Sequence, residues 1–169
     1  IKTIDCLNMP KNNRLIYGGT FYKNIRPIES LYELAEQKDI TKFLIDCYCG
    51  AKELSVKNII FHPFTKKDVY IEKLKDAIGV VVLGNINTEA NYKPSKCLEA
   101  IAFKKIIITN NIKINKDPIL SRYPYCFDCH DLDLKQKINM KTAKEALNFD
   151  ISKNFPDRSE KKFIEEIIK

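Results

Sequence analysis

The chain has 169 residues, 44% of them hydrophobic, which suits one domain with a substantial core. Its formal charge of +7 comes from dispersed lysines, with only Arg14, Arg26, Arg122 and Arg158 as arginines, and no aromatic-basic recognition motif accompanies them, so a nucleic-acid partner is not expected. No run of about 18 apolar residues offers a membrane span and the first residues lack a secretory pattern, so a cytoplasmic chain is expected, with weak attraction to the anionic inner face of a membrane.

The chain starts at Ile1 without an initiator Met and reads as a domain excised from a longer protein, with residues 1–13 as a lead-in and residues 14–169 as the folded unit. Short apolar runs alternate with helical patterns from there on, the signature of a parallel sheet covered on both faces. The expected fold is α/β, a Rossmann-like doubly wound parallel sheet of about six strands with helices on both faces.

The first expected strand is Arg14–Gly18. Gly18 and Gly19 then allow close backbone approach of a bulky group, and Lys23 and Arg26 follow within reach of phosphate oxygens; the competing reading is a tight structural turn. Pro27–Lys38 is the first helix, with Pro at its start and Ile28, Leu31, Leu34 and Ala35 on one face. Strands Lys42–Cys49 and Asn58–Phe64 come next. At the end of the second of these, Phe64 could hold a nucleobase or be core, and His62 could act directly or serve as a hydrogen-bonded structural residue.

Thr65-Lys-Lys-Asp68 resembles a capping box, with Asp for the usual Glu, opening a helix that ends near Ala77. Strand Ile78–Leu83 leads into the polar segment 84–93, longer than a minimal turn needs and so a binding-loop candidate. The helix from Pro94 follows. Pro94 suits its first turn, and the free amides of Ser95, Lys96 and Cys97 would face an anion beside the Lys96 charge. Glu99, one turn in, would repel a pyrophosphate unless it reaches past it to ribose hydroxyls; the competing reading is an exposed Lys-Glu pair on an ordinary amphipathic helix.

Strands Ile106–Thr109 and Tyr125–Cys129, a short helix Thr142–Phe149, and a last helix capped within residues 157–160 and carrying Phe163, Ile164, Ile167 and Ile168 complete the pattern. The six cysteines are Cys6, Cys47, Cys49, Cys97, Cys126 and Cys129, most of them in segments that read as buried, so reduced core thiols are expected. Cys126-Phe-Asp-Cys-His130 matches the attachment pattern of c-type haem, and Cys-x-x-Cys also suits zinc. Covalent haem needs export, and a structural zinc needs a second ligand pair for which only Cys47 and Cys49 are on offer, so neither metal nor cofactor is expected.

The segment Pro94-Ser-Lys-Cys-Leu-Glu99-Ala-Ile-Ala-Phe-Lys-Lys-Ile-Ile-Ile108 resembles the donor-binding half of the GT-B glycosyltransferases, group 1-like enzymes that use nucleotide sugars. Tyr17-Gly-Gly-Thr-Phe-Tyr-Lys-Asn-Ile-Arg-Pro27 looks like that family's opening strand, turn and basic loop, and Phe155 to Phe163 looks like its closing helix. The resemblance implies a hexosyltransferase that takes a nucleotide-diphosphate sugar, a UDP-sugar first among candidates, and serves bacterial polysaccharide or glycoconjugate assembly. It implies a donor site at Gly18, Gly19, Lys23, Arg26, Phe64, Ser95, Lys96 and Glu99, and an absent N-terminal domain that binds the acceptor. The fragment alone would then bind but hardly turn over. Retaining members often carry a Glu where this chain has Asn91, which leaves the stereochemical outcome open. The alternative is a non-catalytic nucleotide- or cofactor-binding module of the same architecture; the missing Gly-x-Gly-x-x-Gly argues against NAD.

Overall fold

The computed structural model describes residues 13–50, 57–84, 95–111, 117, 120–131, 133–155, 162 and 164–167. Its elements are β1 (Arg14–Gly18), α1 (Glu29–Ala35), β2 (Leu44–Tyr48), β3 (Ile59–His62), α2 (Lys67–Asp76), β4 (Gly79–Val82), α3 (Ser95–Ala102), β5 (Ile106–Thr109), β6 (Cys126–Asp128), α4 (Leu134–Lys137), α5 (Met140–Leu147) and α6 (Ile151–Asn154). Residues 164–167 are helical as well. All strand pairs are parallel, in the order β3-β2-β1-β4-β5-β6. The α/β doubly wound fold is thus present.

The strands form where the apolar runs put them. β4 and β5 are buried at every position, as Gly-Val-Val-Val and Ile-Ile-Ile-Thr require of central strands covered on both faces. One face carries Leu15, Tyr17, Ile45 and Cys47 against Leu31, Leu34 and Ala35 of α1. The other carries Ile16, Val80, Val82 and Ile107 against Tyr70 and Leu74 of α2 and Cys97, Ala100 and Ile101 of α3.

Helix ends depart from expectation in informative ways. The segment Thr65–Asp68 does not form a capping box: Lys66 is the N-cap of α2 and no side chain caps it. α5 starts two residues earlier than its apolar pattern suggests, because Asn139 accepts from the Thr142 amide at 3.0 Å. α3 stops at a left-handed residue, Lys104 with φ 54°, and the Lys105 amide closes the turn on the Ala100 carbonyl at 2.8 Å. Lys105 is itself buried, and its ammonium donates to the Lys75 and Ala77 carbonyls at 2.6 and 3.0 Å, capping α2 across the core. In the last helix Ile164 is buried and Ile167 packs beside the same core, while the cap at 157–160 lies outside the described residues.

β1 and β4 are neighbours at the centre, and from them the chain winds outward in opposite directions. The crevice such a reversal opens lies beyond the C-terminal ends of these strands, where Gly18-Gly19 and Leu83-Gly84 emerge.

Candidate functional site

Three elements converge on that crevice. β1 delivers Gly18 and Gly19, α3 delivers Ser95, Lys96 and Glu99, and α2 delivers Tyr70. Lys96 Nζ lies 2.9 Å from Glu99 Oε2 and 3.8 Å from the centre of the Tyr70 ring, so an ion pair and a cation–π contact share one ammonium. Glu99 is 6% exposed, unlike the surface partner of an ordinary helical ion pair. Ser95 is exposed at the helix start, and Pro94 lies outside the described residues.

Gly18 is small because of Tyr70. A Cβ there would stand 2.5 Å from Tyr70 Cε2, so the bulky group admitted by this glycine is the chain's own phenol ring. Tyr48 of β2 meets the same ring edge-on at 6.3 Å, so the ring is held by Gly18, Lys96 and Tyr48 together. Tyr70 is 4% exposed, and its hydroxyl is buried without a hydrogen-bond partner among the described residues. Burial first, and the Glu99 carboxylate next, push its pKa up, so it stays a neutral donor. The sequence alone does not single out Tyr70, since an aromatic on the apolar stripe of a helix gives no sign of an unpaired hydroxyl.

The loop after β1 is a small hairpin closed by Tyr22 and Arg26, whose amides and carbonyls bond reciprocally at 2.9 and 2.8 Å. Arg26 donates from Nε and Nη2 to the Thr20 carbonyl at 3.2 and 2.9 Å, and its Nη2 stands 3.6 Å from where a Gly19 Cβ would lie. Arg26 therefore sits beside Gly19, partly used by its own loop. Lys23 is exposed within the hairpin. The Gly19 amide is already spent on the Tyr48 carbonyl at 3.3 Å. Segment 84–93 is described only at Gly84, whose amide donates to Asn110 Oδ1 at 2.9 Å.

Phe64 is 62% exposed, and its ring lies against Gly50, where φ is 70° and a Cβ would come within 2.2 Å of Cε2. It presents a flat aromatic face at the crevice end of the edge strand β3, separated from β1 by β2. His62 is a structural partner in a second cluster. Its Nε2 lies 2.7 Å from Asp46 Oδ1, its ring stacks on Tyr48 at 4.6 Å, and Arg14 Nη1 donates to both Asp46 oxygens at 2.7 Å. These residues line a cavity of about 210 Å³ beneath α2, together with Lys73 and Asp76.

The Cys-x-x-Cys pair does not converge. Cys126 packs with the core under α2 and α3, whereas Cys129 belongs to the core under α1, and burial raises both thiols to about 12. Asp128, Cys129 and His130 hold potential ligand atoms within 4.8 Å of one another, the one such grouping among the described residues, but His130 Nδ1 lies 3.0 Å from Asp128 Oδ1, as an internal hydrogen bond.

Comparison with family models and with curated proteins finds no match to this chain. No helix among the described residues is long and apolar enough to cross a membrane.

Proposed function

We propose that this domain binds a nucleotide-diphosphate sugar at the crevice beyond β1 and β4, as the donor-binding half of a glycosyltransferase. The observation that carries the reading is the buried Glu99 held by Lys96 at the switch point of a 3-2-1-4-5-6 sheet, where open parallel sheets take their ligands. A cation and a carboxylate one helical turn apart suit the two halves of a nucleoside diphosphate. Lys96, partly exposed, can swing from Tyr70 toward the phosphates, which frees Glu99 Oε2 for ribose hydroxyls.

As the diphosphate leaves the anomeric carbon, its growing charge would meet Lys96, Arg26 and the first amides of α3, with Lys23 adding field from the exposed hairpin. Phe64 offers a face for a base, with a UDP-sugar as the first donor to test. The acceptor and any general base would come from a second domain, with the sugar passing to a polysaccharide or glycoconjugate at the cytoplasmic face of a membrane. A non-catalytic nucleotide module would share the binding site and lack transfer.

The test is calorimetric titration with UDP, GDP, ADP, CDP and their sugars. Lys96→Ala and Glu99→Ala should each weaken the best ligand by about 1–2 kcal/mol without loss of fold. Unchanged affinity in both variants would remove the site from α3.

A further inference from the structure

We infer that Tyr70 is a ligand-contact residue that donates its hydroxyl to a ribose hydroxyl of the bound nucleotide, and so sets the preference of this crevice for ribonucleotides. The inference rests on the nucleotide-binding reading above and adds a residue and a specificity to it. A phenol ring clamped by Gly18, Lys96 and Tyr48 would serve packing equally well as phenylalanine. Its hydroxyl is instead buried without a hydrogen-bond partner among the described residues, a costly arrangement unless something arrives to accept the proton.

The neighbours decide what arrives. Glu99 Oε2 is taken by Lys96, which leaves Oε1 as the oxygen a further donor would meet. A group reaching both Tyr70 and Glu99 must accept from a phenol and donate to a carboxylate. A sugar hydroxyl does both. A phosphate oxygen cannot donate to Glu99 and would be repelled by it. The pair Tyr70–Glu99 thus selects a hydroxyl, and removing that hydroxyl from the ligand leaves the buried phenol unpaired, the situation in which a polar site discriminates most strongly.

The experiment titrates wild type, Tyr70→Phe and Lys96→Ala with UDP, GDP, ADP and CDP, and then with the 2′-deoxy and 3′-deoxy forms of the best binder, while recording Tm. Wild type should bind the ribonucleotide about tenfold more tightly than at least one deoxy form. Tyr70→Phe should bind it about tenfold more weakly, lose that preference, and melt no lower than wild type, because an unpaired buried hydroxyl has been removed. If Lys96→Ala weakens binding while Tyr70→Phe keeps both affinity and preference, the site stands and the role of Tyr70 falls. A lower Tm in Tyr70→Phe with unchanged binding would assign the hydroxyl to a structural water and overturn the inference. If wild type binds none of the four diphosphates, the nucleotide reading and the inference fall together.

Discussion

Two polar clusters share one face of the sheet, and they differ in how completely they are satisfied. In the first, Asp46 sits in the middle of β2 with both oxygens bonded to Arg14 and one also to His62. The parallel register creates it: Asp46 lies level with Ile16 and Ile60, which puts Arg14 and His62 on its two diagonals. In the second, Lys96 and Glu99 bond to each other and the Tyr70 hydroxyl beside them bonds to nothing described. A closed network holds a fold together, whereas an open one leaves bonding capacity for a ligand.

The largest expected effect lies in the closed cluster. Asp46→Ala should cost about 3 kcal/mol in urea denaturation, since Arg14 and His62 lose their common acceptor, and it should leave nucleotide affinity unchanged. Lost affinity with little lost stability would reverse the roles assigned to the two clusters.

Lys105 sharpens the comparison from a third region, as a buried cation whose ammonium donates to the backbone carbonyls of Lys75 and Ala77. Burial lowers its pKa to about 8 from 10.5. Between these values the unfolded chain binds the proton and the folded one does not, so stability rises with pH through pH 8 to 10.5, and the penalty on the charged form is fully present below pH 8. The stability of wild type relative to Lys105→Met should therefore increase by roughly 3 kcal/mol across that window. A difference independent of pH would contradict a desolvated ammonium.

Glu99→Ala should change stability by only about 1 kcal/mol, because Lys96 keeps the Tyr70 ring and its partial exposure to water. A loss as large as that of Asp46→Ala would make the crevice pair structural. The smallest effect belongs to Lys104→Gly at the left-handed end of α3. Relief of backbone strain should outweigh loss of the 2.8 Å bond from Lys104 Nζ to the Leu147 carbonyl, for a gain of about 0.5 kcal/mol in thermal unfolding.

Much of this fold was legible because its central strands are nearly pure β-branched runs. Arg14–Gly18 and Ile106–Thr109 begin and end where the apolar pattern does. α4 and α6, four residues each, are too short for helical periodicity to register. At the site, Lys96 and Glu99 were legible because three-residue spacing places them on one helical face. Tyr70 was not, because its contact Gly18 lies 52 residues away along the chain and depends on where α2 crosses the sheet. Asp46 likewise reads as an odd carboxylate in a strand until the register supplies Arg14 and His62, 32 and 16 residues away. His62 and Gly18 were visible as residues, but their contacts with Asp46 and Tyr70 were not, because partners across a sheet leave no local mark.

The central claim is that the open cluster, and not the closed one, receives a nucleoside diphosphate. Amide chemical-shift mapping during titration with UDP, and with GDP, ADP and CDP as alternatives, tests it most directly. The account predicts saturable shifts at Gly18, Gly19, Ser95, Lys96 and Glu99, with Ile45, Asp46 and Ile60 unmoved. Shifts centred on Asp46 and Ile60 with α3 silent, or no saturable shift with any of the four, would contradict it.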